Sequence, residues 1–348
     1  MKLITIHDTY MQRCLELAIK GLGNVAPNPM VGCVIVCDNE IVGEGYHEQY
    51  GSAHAEPNAI KEVSDDILKR STLFVTLEPC SHHGKTPPCA DLIISKGIKK
   101  VVIGNLDSNP LVSGRGVQKL KDAGIEVEHG ILDTGCRELN KRFFTFHEKK
   151  RPYIILKWAQ TQDGFISRLP LPESKEDNWI TGKESKSLVH QWRAQEQAIL
   201  IGYNTAFVDN PLLTTRLAEG KNPVRLIIDE NLDLPHDLNV FNSDAKTIVF
   251  NRMKGIEQDN IRFIRIDFKN VIQEILDECF VLNISSIIIE GGTKTINEVV
   301  KKNLWDEARV FLNPHKKFEQ GIAAPHLSFQ QVTSTQIGSD LLYTLYNR

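Results

Sequence analysis

Long apolar runs are missing from this sequence. No stretch of the 348 residues approaches the roughly 18 apolar residues of a membrane-spanning helix, and the N-terminus lacks the apolar core of a signal peptide. An excess of positive charge is missing too, since 41 Lys and Arg stand against 44 Asp and Glu. Proteins that bind nucleic acid usually carry a basic domain or stripe. We therefore expect neither a membrane nor a nucleic acid as a partner.

The pattern of cysteines excludes a disulfide framework. The sequence has seven, an odd and scattered set at positions 14, 33, 37, 80, 89, 136 and 279. In a chain of this size such a set predicts a reducing compartment, and we expect a cytoplasmic enzyme. A Rossmann fingerprint is also missing, because no G-x-G-x-x-G motif follows a predicted strand.

One group of residues does indicate chemistry, namely His54, Glu56, Cys80 and Cys89. One imidazole and two thiolates leave the fourth position of a tetrahedral zinc open, as in catalytic sites. Glu56, at the predicted start of a helix, can stand beside the metal and move a proton. Zinc nucleobase deaminases share the pattern H-x-E followed by P-C-x-x-C. Here eight residues instead of two separate the cysteines.

These residues have other interpretations. Each cysteine alone could be a small buried apolar side chain, and His54 alone could cap a helix. His82 and His83 lie in the insert between the cysteines, which we expect to border the substrate, and they are alternative ligands in principle. The joint pattern favours one zinc held by His54, Cys80 and Cys89.

Hydrophobic periodicity predicts an α/β domain in the first half. A helix capped by Asp8 and ended by Gly23 should precede strands at 33–37, 41–46, 73–77, 100–104 and 125–128. Further helices should follow His54 and Cys89 and span 116–123. This pattern predicts a mixed sheet with helices on both faces.

A helix-like connector at 132–150 ends in a charged run before Pro152, so we expect domains at 1–150 and 151–348. In the second, strands at 153–158, 198–201, 224–229, 247–250 and 286–289 alternate with helices at 182–195 and 271–279. This alternation predicts another three-layer α/β domain.

Two segments of the second half carry reactive or charged groups. Glu290-Gly291-Gly292 follows a buried-type strand and opens a helix, whose N–H groups favour a phosphate. Segment 202–216 places an acid, hydroxyls and an arginine on one loop. Arg193 and Arg216 could bind a sugar phosphate in bidentate fashion, or they could be ordinary exposed arginines.

The sequence resembles the bifunctional deaminase/reductase family of riboflavin biosynthesis. The matching residues are 28–32, 54–56 and 76–89 in the first half, and 157–159, 163–164, 178–181, Arg193, 209–211, 213–214, Arg216 and 290–292 in the second. The resemblance implies a cytidine-deaminase-like zinc domain followed by a dihydrofolate-reductase-like NADPH domain. It implies hydrolytic deamination of 2,5-diamino-6-(5-phosphoribosylamino)pyrimidin-4-one. The ribosyl side chain of 5-amino-6-(5-phosphoribosylamino)uracil would then be reduced to ribityl, in a homo-oligomer (dimer or tetramer).

The resemblance also implies roles for individual residues. Glu56 and Asp209 would be catalytic, although Asp209 could instead cap the turn at Asn210 and Pro211. The deaminase substrate would meet Asn28, His47, Lys85 and Asn109. NADPH would meet Ala159, Trp179, Thr205, Asp209, Gly292, Thr293, Lys294, Thr295, Ile296, Asn297 and Glu298. The reductase substrate would meet Asp177, Arg193, Leu213, Arg216 and Glu290.

The family pattern is broken at three places. Asp177 stands where the family usually has Ser, Thr161-Gln162 stand where it usually has Ser-Leu before Asp-Gly, and segment 313–317 departs from the usual sequence. Two other functions compete with that of a deaminase/reductase. A tRNA or nucleoside deaminase with a C-terminal binding module lacks support, because a basic stripe is missing and the cysteine loop is long. A zinc-stabilised domain with a ligand-sensing second half would not need Glu56.

Overall fold

The computed structural model describes residues 5–82, 87–109, 113–327 and 332–347, together with the backbone but not the side chain of residue 175. The chain forms two compact units, Met1–Lys150 and Arg151–Arg348. Among the described residues, no helix combines the length and the apolar character that a membrane crossing requires.

The first unit is built on one five-stranded sheet. Its strands are β1 (Gly32–Cys37), β2 (Glu40–Tyr46), β3 (Thr72–Leu77), β4 (Lys100–Asn105) and β5 (Glu126–His129). Its helices are α1 (Ile6–Ala18), α2 (Ala55–Ile60), α3 (Asp65–Leu68), α4 (Cys89–Ser95), α5 (Arg115–Asp122), α6 (Asp133–Leu139) and α7 (Lys141–Lys149).

The strand order is β2-β1-β3-β4-β5, with antiparallel pairs at β1–β2 and β1–β3 and parallel pairs beyond. Asp38 and Asn39 join β1 to β2 with φ angles of 52° and 66°, which is the hairpin turn that matches strand twist. Apolar clusters fill both faces of the sheet, one around Met11 and Phe74 and the other around Ile35 and Ile93. The predicted mixed sheet with helices on both faces is confirmed.

The first helix begins earlier than its predicted cap. Thr5, not Asp8, is the N-cap, and Asp8 is the third helical residue. The Asp8 carboxylate accepts the Thr5 N–H (2.7 Å) while the Thr5 hydroxyl accepts the Asp8 N–H (3.2 Å), which is a capping box. Asp8 was misassigned because Asp is favoured both as a cap and in the first turn. The helix ends at Ala18, and a 3-10 turn at Ile19–Gly21 follows.

The second unit contains a ten-stranded sheet and a two-stranded one. Its strands are β6 (Tyr153–Thr161), β7 (Phe165–Arg168), β8 (Ala198–Gly202), β9 (Val224–Ile228), β10 (Thr247–Asn251), β11 (Glu257–Gln258), β12 (Ile261–Arg265), β13 (Ser286–Gly291), β14 (Glu307–Asn313), β15 (Gly321–Ala323), β16 (Val332–Ile337) and β17 (Asp340–Tyr346). Its helices are α8 (Lys183–Gln195), α9 (Tyr203–Asp209), α10 (Val271–Val281) and α11 (Thr293–Lys301).

The large sheet has the order β11-β12-β10-β9-β8-β13-β6-β14-β17-β16, parallel from β12 through β14. Helices α10 and α11 pack on one face, around Leu156 and Ile275. The other face holds clusters around Ile199 and Trp192, the second of which includes α8. The predicted three-layer architecture is confirmed, and it places the carboxyl ends of β6, β8 and β13 side by side.

Several strands of the second unit were not predicted, β14, β16 and β17 among them. Strand β16 lies at the edge of the sheet, and Val332 to Gln336 are all exposed. Its sequence therefore lacks the apolar alternation by which a strand is recognised. The connector at 132–150 is also not one helix, because α6 and α7 are separated at Asn140.

Candidate active sites

The three predicted zinc ligands converge in the first unit. His54 Nδ1 lies 3.6 Å from Cys80 Sγ and 3.4 Å from Cys89 Sγ, and the three donor atoms all lie within 4.8 Å of one another. One nitrogen and two sulfurs at this spacing match the donor set of a catalytic zinc site.

Local structure explains why these side chains meet. His54 is the N-cap of α2, Cys80 follows β3 after Pro79, and Cys89 is the first residue of α4 behind Pro88. Each ligand thus stands where a regular element begins or ends, and the sheet holds these ends together. The backbone N–H of Cys89 donates to Cys80 Sγ (3.3 Å), which ties the second ligand to the third.

The site favours thiolate at Cys80. A hydrogen bond from the Cys89 thiol is the largest cause that lowers the pKa of Cys80, with further help from His54 and the Cys89 backbone. A thiolate is the form that binds a metal. The donor set and the charge of the site therefore fit zinc.

Glu56 is the second residue of α2 and is buried. Burial is the first cause that raises its pKa to about 7, and the neighbouring Cys80 thiolate raises it further. A carboxyl group with a pKa near neutrality can both accept and return a proton. Two residues of separation from His54 place it beside the ligands, as predicted.

His47 and Asn28 form a hydrogen-bonded pair next to the ligands. The His47 ring lies edge-on to the His54 ring, with 5.3 Å between their centroids. His47 Nδ1 lies 3.0 Å from the Ala53 carbonyl, which can only accept, so this nitrogen carries the proton. Its Nε2 then accepts from Asn28 Nδ2 at 3.2 Å. Burial lowers the pKa of His47, in keeping with a neutral ring.

Of the other two predicted deaminase-substrate residues, Asn109 lies in the part of the chain that the structure describes and Lys85 does not. Asn109 lies in the loop after β4, where its N–H donates to Asp107 Oδ1 (2.6 Å). Lys85 lies outside the described residues, as does His83. Asp107 itself is buried, and this burial raises its pKa to about 7.

Asn140, which is not among the predicted site residues, fixes the loop that carries Asn28, although the two residues are far apart in the sequence. Its Oδ1 accepts the Met30 N–H and its Nδ2 donates to the Met30 carbonyl, both at 2.8 Å. The amide thus pairs with Met30 as a neighbouring strand would. No local sequence signal could reveal this contact, because it joins residues on widely separated parts of the chain.

In the second unit, two glycine-containing turns meet at the ends of adjacent parallel strands. A Cβ added to Gly202, the last residue of β8, would lie 2.8 Å from Thr295 Oγ1 of α11. A Cβ added to Gly292, after β13, would lie 3.2 Å from Thr205 Oγ1 of α9. Gly292, just before α11, therefore lies against Thr205, and Thr295 in the first turn of α11 lies against Gly202. Backbone N–H groups at such a start favour phosphate.

A buried charge cluster lies at the carboxyl end of β13. Arg193 donates to Glu290 through Nε (3.0 Å) and Nη2 (2.7 Å), and Lys157 Nζ is 4.0 Å from the same carboxylate. Burial alone would raise the pKa of Glu290, but Arg193 and Lys157 outweigh it and the pKa falls to about 2. Burial lowers the pKa of Lys157. This lysine interrupts an apolar strand, a signal that could have marked it in the sequence.

Arg193 also donates through Nη1 to the Thr214 carbonyl (3.3 Å), so each of its three side-chain nitrogens donates a hydrogen bond. Arg216 donates through Nη1 to the Thr214 hydroxyl (3.4 Å). His190 hydrogen-bonds the Thr214 backbone, and its Nδ1 has no partner among the described residues. Burial, with Arg193 and Arg216 nearby, lowers the pKa of His190 to about 4. The structure thus brings Arg193, Arg216 and Glu290 into one cluster, and it adds Lys157 and His190.

The divergent segment 313–317 holds the chain around Trp179. Asn313 Nδ2 donates to the Ile180 carbonyl (2.6 Å), and Lys316 Nζ donates to the carbonyls of Asp177 (3.0 Å) and Trp179. Trp179 is half exposed, with the Lys186 ammonium 3.3 Å from its ring centroid. Asp177 thus contributes its backbone to this clamp.

The remaining predicted reductase residues lie on separate elements. Ala159 is in β6, paired with Phe311 of β14. Leu213 is buried with φ at 54°. Asp209 ends α9 and is exposed, and Asn210 after it has φ at 41°.

Comparison with known proteins decides the family. Residues 4–105 match the cytidine and deoxycytidylate deaminase zinc-binding region, and residues 152–343 match the RibD C-terminal domain. The riboflavin biosynthesis protein RibD of Aquifex aeolicus is 40% identical over 337 residues, covering 94% of this chain and 92% of its own. The chain belongs to the RibD family.

Other RibD proteins agree. That of Escherichia coli is 35% identical and covers 88% of this chain and 87% of its own. A solved deaminase/reductase from Thermotoga maritima has a TM-score of 0.87 at 38% identity, with 99% of both chains covered. Acinetobacter baumannii RibD has a TM-score of 0.86 at 30% identity, covering 99% of this chain and 100% of its own. The chain is therefore a bifunctional RibD enzyme with a zinc-binding deaminase domain and a reductase domain.

Proposed function

We propose that the first unit deaminates 2,5-diamino-6-(5-phosphoribosylamino)pyrimidin-4-one by hydrolysis and that the second reduces the deaminated product with NADPH. The observation that carries this proposal is the convergence of His54, Cys80 and Cys89 beside the buried Glu56. The substrate class is supported by the similar Thermotoga maritima structure, described as a diaminohydroxyphosphoribosylaminopyrimidine deaminase and 5-amino-6-(5-phosphoribosylamino)uracil reductase.

In the first unit, His54, Cys80 and Cys89 would hold zinc, which when bound would make a water more acidic and more reactive toward the pyrimidine. Glu56 would take a proton from the attacking water and return it to the leaving amine, which departs as ammonia. Its raised pKa suits both steps. Asn28 and the neutral His47 orient the substrate, together with Lys85 and Asn109.

In the second unit, NADPH when bound would supply a hydride for C1 of the ribose. The bond from C1 to the ring oxygen would break and that oxygen would take a proton, which opens the sugar to a ribityl chain. We assign the nucleotide to Ala159, Trp179, Thr205, Asp209 and the start of α11 at Gly292 to Glu298. The substrate would meet Asp177, Arg193, Leu213, Arg216 and Glu290. The Arg193 guanidinium already donates two hydrogen bonds to the Glu290 carboxylate. Arg216 is therefore the better placed of the two arginines to bind the phosphate. Asp209 would position the reacting groups or transfer a proton.

The proposal also concerns the cellular compartment and the oligomeric state of the enzyme. The seven cysteines, all within the described residues, are free thiols, as suits a reducing cytoplasm. We expect the protein to be a homo-oligomer, either a dimer or a tetramer, and sedimentation analysis would test this expectation.

The test supplies the pyrimidine substrate to the protein with and without NADPH. Ammonia should be released in both cases, and NADPH absorbance should fall only when deaminated product is present. A parallel reaction with NADH measures the cofactor preference. Ammonia from a tRNA anticodon arm instead of the pyrimidine would favour the nucleoside deaminase, and no turnover of either would favour a ligand-sensing protein.

A further inference from the structure

Glu78 is a buried carboxylate, 4% exposed, that lies two residues before the zinc ligand Cys80. From residues that the structure describes, it accepts four hydrogen bonds, each from a backbone N–H group. The donors are Asp107 (3.2 Å) and Gly114 (2.9 Å) to Oε2, and Gly116 (2.9 Å) and Val117 (3.1 Å) to Oε1. Hydrogen bonds to an ionised acceptor are roughly twice as strong as neutral ones. Such a set of bonds fixes both the side chain and the loop around it.

Two of these donors belong to the start of α5. The first N–H groups of a helix lack partners within the helix, and the N-cap side chain normally accepts one of them. The N-cap of α5 is Gly114, with φ at 74° and no side chain. Glu78 replaces the missing cap from another part of the chain, and its charge suits the positive end of the helix.

The start of α5 also touches the backbone next to Cys80. A Cβ added to Gly116 would lie 2.1 Å from the Pro79 carbonyl oxygen, so only glycine allows this approach. On its other side, the Cys80 carbonyl accepts the Ala90 N–H of α4 (3.1 Å). Cys80 is therefore held between two helix starts, and Glu78 makes the link to one of them.

The same carboxylate ties down the loop that follows β4. Its bond to the Asp107 N–H fixes this residue, and Asp107 in turn accepts the Asn109 N–H (2.6 Å). The Asn109 carbonyl accepts from Ser113, just before the Gly114 N–H that also donates to Glu78. The position of the proposed substrate residue Asn109 thus depends on Glu78.

We propose that Glu78 is a positioning residue of the deaminase site, which aligns the metal ligand Cys80 with the substrate loop at Asp107 and Asn109. The proposal rests on the zinc-dependent deamination assigned to this unit. Glu78 acts through the backbone, so its loss disturbs metal geometry and substrate binding together. A residue that only capped α5 would affect neither.

The test uses the full chain loaded with Co²⁺, whose visible spectrum reports the geometry of a thiolate-containing site. Glu78→Gln keeps one acceptor oxygen but turns an amide N–H₂ toward backbone donors, and Glu78→Ala removes all four bonds. Glu44→Gln, at a partly exposed carboxylate paired with Arg13 in the same unit, is the matched control. Reduction of supplied deaminated substrate checks that the second unit of each protein is intact, and the Tm reports on the fold of the first.

We expect Glu78→Gln to weaken Co²⁺ binding by about 10- to 100-fold, as loss of an outer-shell partner does, with an altered spectrum and a raised KM for deamination. The effect of Glu78→Ala should be larger, and Glu44→Gln should behave as wild type. If Glu78→Gln lowered the Tm but left the Co²⁺ spectrum, the Co²⁺ affinity and the KM unchanged, this proposal would be overturned and the zinc site would stand. A wild type that binds no Co²⁺ would overturn the zinc site and this proposal together.

Discussion

Replacing Glu290 with Gln should destabilise the second unit by about 3 kcal/mol at neutral pH. The substitution leaves the buried Arg193 without its counter-charge, and breaking a buried pair in this way costs about 3–5 kcal/mol. The pKa offers a second route to the magnitude. A fall from 4.5 to about 2 corresponds to about 3 kcal/mol, since one pKa unit is about 1.4 kcal/mol. The two routes agree.

This prediction has a definite pH dependence. The pKa of Glu290 is lower in the folded protein than in the unfolded chain, so its contribution is fully present above pH 4.5. The contribution is lost as the pH falls from 4.5 toward 2, where Glu290 takes up a proton. The difference in stability between wild type and Glu290→Gln should therefore shrink over the same range.

Tryptophan fluorescence is the right assay because all four tryptophans, at 158, 179, 192 and 305, belong to the second unit. Urea unfolding followed by this signal reports on that unit alone. Glu230→Gln is the control, because its pair with Arg252 is half exposed and such pairs contribute about 0–1 kcal/mol. If Glu290→Gln unfolded at the same urea concentration as wild type, the account of the buried pair would be wrong.

Three further predictions concern the first unit. Cys89→Ser should lose bound zinc by metal analysis, and full occupancy would remove Cys89 from the ligand set. Glu56→Gln should keep zinc but release ammonia at least about a hundredfold more slowly, as expected for a general acid and base; near-normal release would assign the proton transfer to another group. Asn140→Ala should lower the free energy of unfolding of the first unit by about 2–6 kcal/mol, because two buried Met30 backbone groups lose their partner. Hydrogen exchange at the Met30 amide should then accelerate, and unchanged protection would contradict this role.

The sequence predicted that His54, Cys80 and Cys89 would meet, because their signal is chemical and lies beside clear secondary-structure boundaries. His54, Cys80 and Cys89 each adjoin a predicted helix or strand, so the sheet that brings these ends together also brings the ligands together. Strands β6, β8, β9, β10 and β13 of the second unit carry runs of apolar residues and were predicted from them. Strands β14 and β17 were not predicted, although apolar residues recur in both. Edge strand β16 was not, since its exposed residues carry no apolar pattern.

The supporting contacts could not be predicted. Asn140 bonds Met30, and Glu78 caps α5, across long separations in sequence. An asparagine or a glutamate in a loop gives no local indication of a distant backbone partner. Lys157 differs, because a charged residue within an apolar strand has to find a buried counter-charge, which here is Glu290.

The central claim is that one chain carries two independent reactions, and one set of measurements tests it most directly. Ammonia release and NADPH oxidation are each measured in Cys80→Ser and in Asp209→Asn. Cys80→Ser should lose zinc and deamination yet still reduce supplied deaminated substrate. Asp209→Asn should weaken reduction while leaving zinc and deamination intact. Loss of both activities in either folded variant would contradict the account and require a single shared site.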